Sequence, residues 1–92
     1  MAKRRTRADL LCEVMESIDS GINKPTHILY NTKVSWTVLT EILDLLHTKD
    51  YIAKTELNKS AKKVRVHYGL TEEGKNILTS MKFLRDSLQV NG

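Results

Sequence analysis

Residues 25–46 read PTHILYNTKVSWTVLTEILDLL, and the fold turns on how this stretch divides. Pro25 opens it, and the fixed φ of proline suits the first turn of a helix. Thr26-His27-Ile28-Leu29-Tyr30 continues as a short helix of about two turns. Asn31-Thr32-Lys33 reads as a turn, and Val34 leads out of it. Ser35 is then a good N-cap for the next helix, because its hydroxyl can accept from a free backbone N–H. In that helix Leu39, Ile42, Leu43 and Leu46 recur at i, i+3, i+4 and i+7, the spacing of one buried stripe. The spacing predicts a helix to about Lys49.

Upstream, Leu11, Val14, Met15 and Ile18 form a second stripe of the same kind. It predicts a helix over residues 8–20, with Asp9 favoured near its start by the helix dipole. Gly21 stops it as a left-handed cap. Downstream of Asp50 the period changes. Tyr51–Glu56 reads as a strand, residues 58–63 as a polar, basic hairpin tip, and Val64–Tyr68 alternates as the returning strand. Thr71 is the N-cap of a last helix, with Glu72 and Glu73 in its first turn and an end near Leu88. Gly74 inside that helix costs roughly 1 kcal/mol against alanine. The expected class is mainly α with a small β-hairpin (α+β), in the order α-α-α-β-β-α. The division is a flexible basic arm at 1–7, a body at 8–70, and a final helix and tail at 71–92. There is no internal repeat.

A chain of 92 residues is one domain with a modest core. Its 40% hydrophobic and 28% charged residues are those of an ordinary globular protein. No apolar run reaches membrane-span length, and no signal-type segment follows the basic start. Cys12 is the single cysteine, which rules out an internal disulfide and a cysteine-based zinc site. The expected location is cytoplasmic. The net charge of +4 is unevenly spread: segments 1–7 and 54–67 each carry +4, leaving −4 for the remainder. Such asymmetry suits a polyanion partner, and equally a solvated tail and a solvated loop.

Three helices followed by a hairpin are the winged helix-turn-helix plan. In a helix-turn-helix the second helix enters the major groove of duplex DNA with its first residues against base edges. Here those residues are Ser35, Trp36, Thr37 and Thr40. Their hydroxyls can donate or accept, yet none is a base reader of the strength of a bidentate arginine. Glu41 and Asp44, further along, would be repelled by phosphates and are expected to point away. Lys59, Lys62 and Lys63 at the hairpin tip, with Arg65 beyond, suit phosphates as point charges. Lys3, Arg4, Arg5 and Arg7 form an arm that could follow the adjacent backbone. Contacts of this kind position a protein without reading sequence.

The stretches Thr26–Tyr30, Ser35-Trp36-x-x-Leu39, Leu43-x-x-Leu46 and Asp50-Tyr51-Ile52 resemble the core of archaeal winged-helix regulators. The type is the ten-kilodalton dimeric DNA-binding protein. Tyr68-Gly69-Leu70-Thr71-Glu72-Glu73-Gly74-Lys75-x-Ile77-Leu78 is similar to the opening of the final helix in many winged-helix proteins. The resemblance covers about residues 8–88. It implies a DNA-binding dimer, either a transcriptional regulator or a nucleoid-associated protein of chromatin type. Members of this type often have a longer final helix than this chain can form.

The final helix offers Ile77, Met81, Leu84 and Leu88 at spacings of 4, 3 and 4, a short heptad seam, with Leu78 and Phe83 beside it. A homodimer packed antiparallel along this seam would use it; so would a helix folded back on helix 1. A two-fold dimer implies a pseudo-palindromic DNA site. Cys12, beside an apolar stripe, reads as an inert core thiol. His27, His47 and His67 lack metal-ligand spacing, although His67, near the wing, could meet phosphate. Trp36 reads equally as a groove contact or a core-edge residue, while Tyr30 and Tyr68 read as core. No phosphate loop, HExxH pattern or acid–base pair is present, so no enzyme, cofactor or small-molecule ligand is expected. A weakly selective chromatin-type protein and a winged-helix module for a protein partner remain open beside the regulator.

Overall fold

The computed structural model describes residues 5–57 and 65–88. The elements are α1 (Arg7–Asp19), α2 (Pro25–Thr32), α3 (Trp36–Thr48), β1 (Ile52–Leu57), β2 (Arg65–Leu70) and α4 (Glu72–Leu88). The order α-α-α-β-β-α is the one the sequence implies. β1 and β2 are an antiparallel pair, with Ile52 opposite Leu70 and Lys54 opposite Tyr68. The backbone N–H of Tyr68 also donates to Asn23 O at 2.9 Å, which ties the α1–α2 connection to the hairpin.

The core forms where the predicted stripes meet. Val14, Met15, Ile28, Leu39, Ile42 and Ile52 are fully enclosed, and Cys12, Ile18, Leu43, Leu46 and Leu78 complete the cluster. Truncating Met15 or Leu39 at this centre would cost about 2–5 kcal/mol, because such a cavity collapses only in part. α4 closes the core from outside by burying Leu78 and packing on α1. Arg85 near its end donates to Glu16 of α1 at 2.9 and 3.3 Å.

The helix ends explain most of the boundaries. α1 starts one residue before the predicted position because Thr6 caps it. Thr6 Oγ1 accepts from Asp9 N at 3.1 Å, and Asp9 Oδ2 accepts from Thr6 N at 2.9 Å. This is a capping box with aspartate in the place usually held by glutamate or glutamine. Residues 5–7 are therefore the lead-in and first turn of α1. Gly21 takes the expected left-handed conformation, φ 101°. Gly21 N donates to Ile18 O and Ile22 N to Ser17 O, at 3.1 and 2.9 Å. That pair of reversed bonds satisfies carbonyls the helix leaves free.

α2 runs through Thr32, so the turn occupies residues 33–35 and not 31–34. Thr32 is buried with its hydroxyl donating to Ile28 O at 2.7 Å, and Lys33 ends the helix at φ 56°. Gly74 overturns the expectation of a simple cost. A Cβ at that position would lie 1.9 Å from Tyr51 O, so only glycine lets α4 approach the connection between α3 and β1. Thr71 caps α4 as predicted, accepting from Gly74 N at 3.0 Å while donating to Asp50 O at 2.7 Å.

Candidate nucleic-acid interface

Ser35 caps α3 as its sequence position implies: the hydroxyl accepts from Val38 N at 3.2 Å, and the residue stays exposed. From there α3 buries Leu39, Ile42, Leu43 and Leu46 and turns its opposite side to solvent. Thr37 and Thr40 are exposed, and Trp36 is 51% exposed, which separates it from the core. Thr40 Oγ1 donates to Thr37 O at 2.9 Å, whereas the Thr37 hydroxyl has no hydrogen-bond partner among the described residues. The start of α3 is thus a small surface of hydroxyls and one indole.

Glu41 and Asp44 depart from expectation. They follow Thr37 and Thr40 at i+4, and residues so spaced share a helix face. Both are exposed on the side that carries the threonines. Glu41 Oε1 lies 3.9 Å from Arg7 Nη1, a loose, solvated pair. Burial raises the Tyr68 phenol above its ordinary value, and the Asp44 carboxylate adds to that rise. The acids place a negative boundary behind the first turn and a half of that helix.

The hairpin residues Lys59, Lys62 and Lys63, and the arm residues Lys3 and Arg4, lie outside the described residues. Arg65 opens β2, with its backbone in register with Leu57. Lys54, on the strand opposite Tyr68, is exposed, as is Lys33 in the turn before α3. By sequence Lys54 counts in the basic segment 54–67 without an assigned contact, and Lys33 is not singled out, since an isolated lysine carries no pattern. Arg7 is exposed in the first turn of α1. Arg5 instead bonds inward to Glu13 and to the carbonyls of Thr32 and Lys33.

Tyr30 is 75% exposed and is not core; in so short a helix Ile28 and Thr32 take the inward face. Tyr68 is half-buried against the core. His67 is half-buried too, with Nε2 enclosed and unpartnered among the described residues, which does not resemble a phosphate contact. Burial, then the neighbouring Glu16 carboxylate, pushes the Cys12 thiol up, as expected of an inert thiol. The Arg85 guanidinium, hydrogen-bonded to Glu16, holds that carboxyl below the usual range.

The proposed seam on α4 divides in two. Ile77 and Met81 are half-buried against the chain's own core, whereas Leu84 is 58% and Phe83 69% exposed. The side chain of Leu88 is outside the described set. α1, α2 and α4 bound a cleft of about 430 Å³ lined by Glu13, Glu16, Asp19 and Lys82 among others, a mainly acidic surface that would repel a polyanion. No group of residues suited to a metal ion occurs among the described residues, and no helix there is long and apolar enough to cross a membrane.

A family model described as winged helix-turn-helix matches residues 4–89. The chain belongs to the winged helix-turn-helix family. No curated protein matches it in sequence. Among solved structures, this winged helix is similar to a PadR-like transcription factor from Bacteroides fragilis. The TM-score is 0.80 at 18% identity, covering 92% of this chain and 87% of that one. It is also similar to smu.1704 from Streptococcus mutans UA159, with a TM-score of 0.77, 17% identity, and 99% and 86% of the two chains covered. YusO from Bacillus subtilis gives a TM-score of 0.73 at 23% identity, covering 89% of this chain and 57% of that one. At these identities the likeness concerns the fold.

Proposed function

We propose that this winged helix is a transcriptional regulator that binds double-stranded DNA as a homodimer, without enzymatic activity. The reading places it in the cytoplasm, on the nucleoid. The observation that carries it is the exposed start of α3, where Ser35, Trp36, Thr37 and Thr40 stand clear of the core in the second helix of a helix-turn-helix. In this reading those residues enter the major groove, and Lys59, Lys62, Lys63 and Arg65 of the wing meet the backbone beside it. Lys3, Arg4 and Arg7 add phosphate contacts. The exposed Phe83 and Leu84 support pairing through α4, with Ile77, Met81 and Leu88 at its margin. The sequence resemblance to archaeal dimeric regulators and the PadR-like structural neighbour support the same reading.

Selection from random duplex DNA, read at two salt concentrations, tests the proposal. An enriched pseudo-palindrome is expected, with half-sites about 34–36 Å apart. If six to eight phosphates are neutralised per dimer, log K falls against log salt with a slope of about −5 to −7. A slope near zero without enrichment would remove the DNA reading. One observation favours a chromatin-type alternative: among the exposed residues at the start of α3 there is no arginine, lysine, asparagine or glutamine to bond a base edge bidentately. Tight binding without enrichment would select that alternative.

A further inference from the structure

The turn into α3 begins where α2 leaves its last carbonyls uncovered. Thr32 O accepts from Arg5 Nη1 at 2.7 Å, and Lys33 O accepts from Arg5 Nη2 at 3.3 Å. The same Nη1 donates to Glu13 Oε1 at 2.7 Å. One planar guanidinium thereby joins the start of the chain, the middle of α1 and the exit of α2. Its positive charge also complements the C-terminal end of the α2 dipole. A second strut runs beside it: Asn31 Nδ2 donates to Ser17 Oγ at 2.6 Å, and Ser17 Oγ donates to Glu13 O at 3.0 Å.

Between these struts and the N-cap of α3 lies Lys33, left-handed at φ 56° without being glycine. The direction in which α3 departs depends on the dihedral angles of residues 33–35. Whatever holds the Thr32 and Lys33 carbonyls therefore governs where Trp36 and Thr37 point. Arg5 commits three of its five N–H donors to this task, both of those on Nη1 among them. Its charge is already paired with the Glu13 carboxylate, which competes with a DNA phosphate for it.

We infer that Arg5 is a positioning residue for α3, acting through the carbonyls of Thr32 and Lys33 and not through a phosphate contact. The inference rests on the reading of α3 as the helix that meets DNA. Glu13 is its working partner, holding the guanidinium over the turn.

The test compares Arg5→Gln, Arg5→Lys and Glu13→Gln with Lys62→Gln as a benchmark for a phosphate contact. Binding to a selected duplex and to random duplex is measured across salt. Arg5→Gln should weaken the selected duplex about three- to tenfold. Its effect on random duplex should be smaller, and its salt slope should stay within about 0.3 of wild type. Glu13→Gln should act in the same direction, and Arg5→Lys should recover part of the loss. Lys62→Gln should weaken both duplexes alike and reduce the slope by about 0.9 per contact. A slope change for Arg5→Gln matching that of Lys62→Gln would overturn the inference. So would a lower melting temperature with an unchanged ratio of selected to random affinity, the mark of a purely structural role.

Amide exchange on the free protein supplies a readout independent of DNA. In Arg5→Gln, exchange should quicken at Lys33 and Val38, whose N–H groups bond Leu29 O and Ser35 Oγ. It should stay unchanged at Lys75, which bonds Thr71 O. Unchanged rates at Lys33 and Val38 would overturn the inference even if wild type bound no duplex, a result that would by itself sink only the reading of α3 as the DNA helix.

Discussion

α2 and α3 both exit through a non-glycine residue in the left-handed region, Lys33 at φ 56° and Asp50 at φ 64°, yet the two exits are held by different means. After α3, Asp50 N donates to His47 O at 3.0 Å and Tyr51 N to Leu46 O at 2.9 Å, closing a complete pair of reversed bonds. Thr71 then binds both residues of this exit, its N–H to Tyr51 O and its hydroxyl to Asp50 O, and Gly74 packs directly on Tyr51. After α2 a single backbone bond remains, Lys33 N to Leu29 O at 2.9 Å, and a long arginine side chain does the rest. Backbone bonds packed against the first turn of another helix have little freedom. A side chain with several rotatable bonds, over a third exposed, has more. The rigid exit carries the hairpin, and the more compliant one aims the helix with the exposed threonines.

Gly74→Ala is the harshest way to break this contrast. The new Cβ would force α4 off the α3 exit, with an expected loss of about 3 kcal/mol read from the urea midpoint. A loss under about 0.5 kcal/mol would show that the exit can give way as easily as the other. Thr71→Ala removes a cap and a tie to Asp50 O and should cost about 1–2 kcal/mol by the same measurement. Thr71→Ser should restore most of it.

These effects bear on what the sequence discloses. The apolar stripes of α1 and α3 were legible because each recurs within one helix, and the caps at Ser35, Gly21 and Thr71 because each acts within a few residues. Gly74 was misread because its reason, Tyr51 O, belongs to another element. Arg5 was read as part of a free arm because two of its three acceptors lie 27 and 28 residues away. The Thr6 box was missed because Asp9 stands where glutamate or glutamine is usual. Tyr30 was misplaced by residue type alone. Two positions from buried Ile28 is about 200° around a helix, which would have pointed it outward. Of the α4 seam, spacing located the apolar residues but not the split between those the chain covers itself and those it leaves bare.

Two gentler substitutions sharpen the comparison. Lys33→Gly removes the steric cost of a left-handed lysine and should raise stability by about 0.5 kcal/mol, with part of the gain offset by the entropy of glycine. The same change should loosen the aim of α3 and so lower the ratio of selected to random DNA affinity. Asp50→Gly should raise stability by only a few tenths of a kcal/mol, since aspartate tolerates this conformation better. It should leave DNA selectivity as it was. Equal effects of the two on selectivity would mean that the exits do not differ in what they control.

The pairing of β1 with β2 leaves the other side of β1 without a strand neighbour among the described residues. An unpaired strand border invites a stranger's backbone to stitch itself on, the usual beginning of a fibril. Here Lys54 and Glu56 stand exposed along that border, so an incoming chain would have to strip water from charges of both signs before it gained a single amide bond. Charge along β1 thereby opposes growth of the sheet by a further chain.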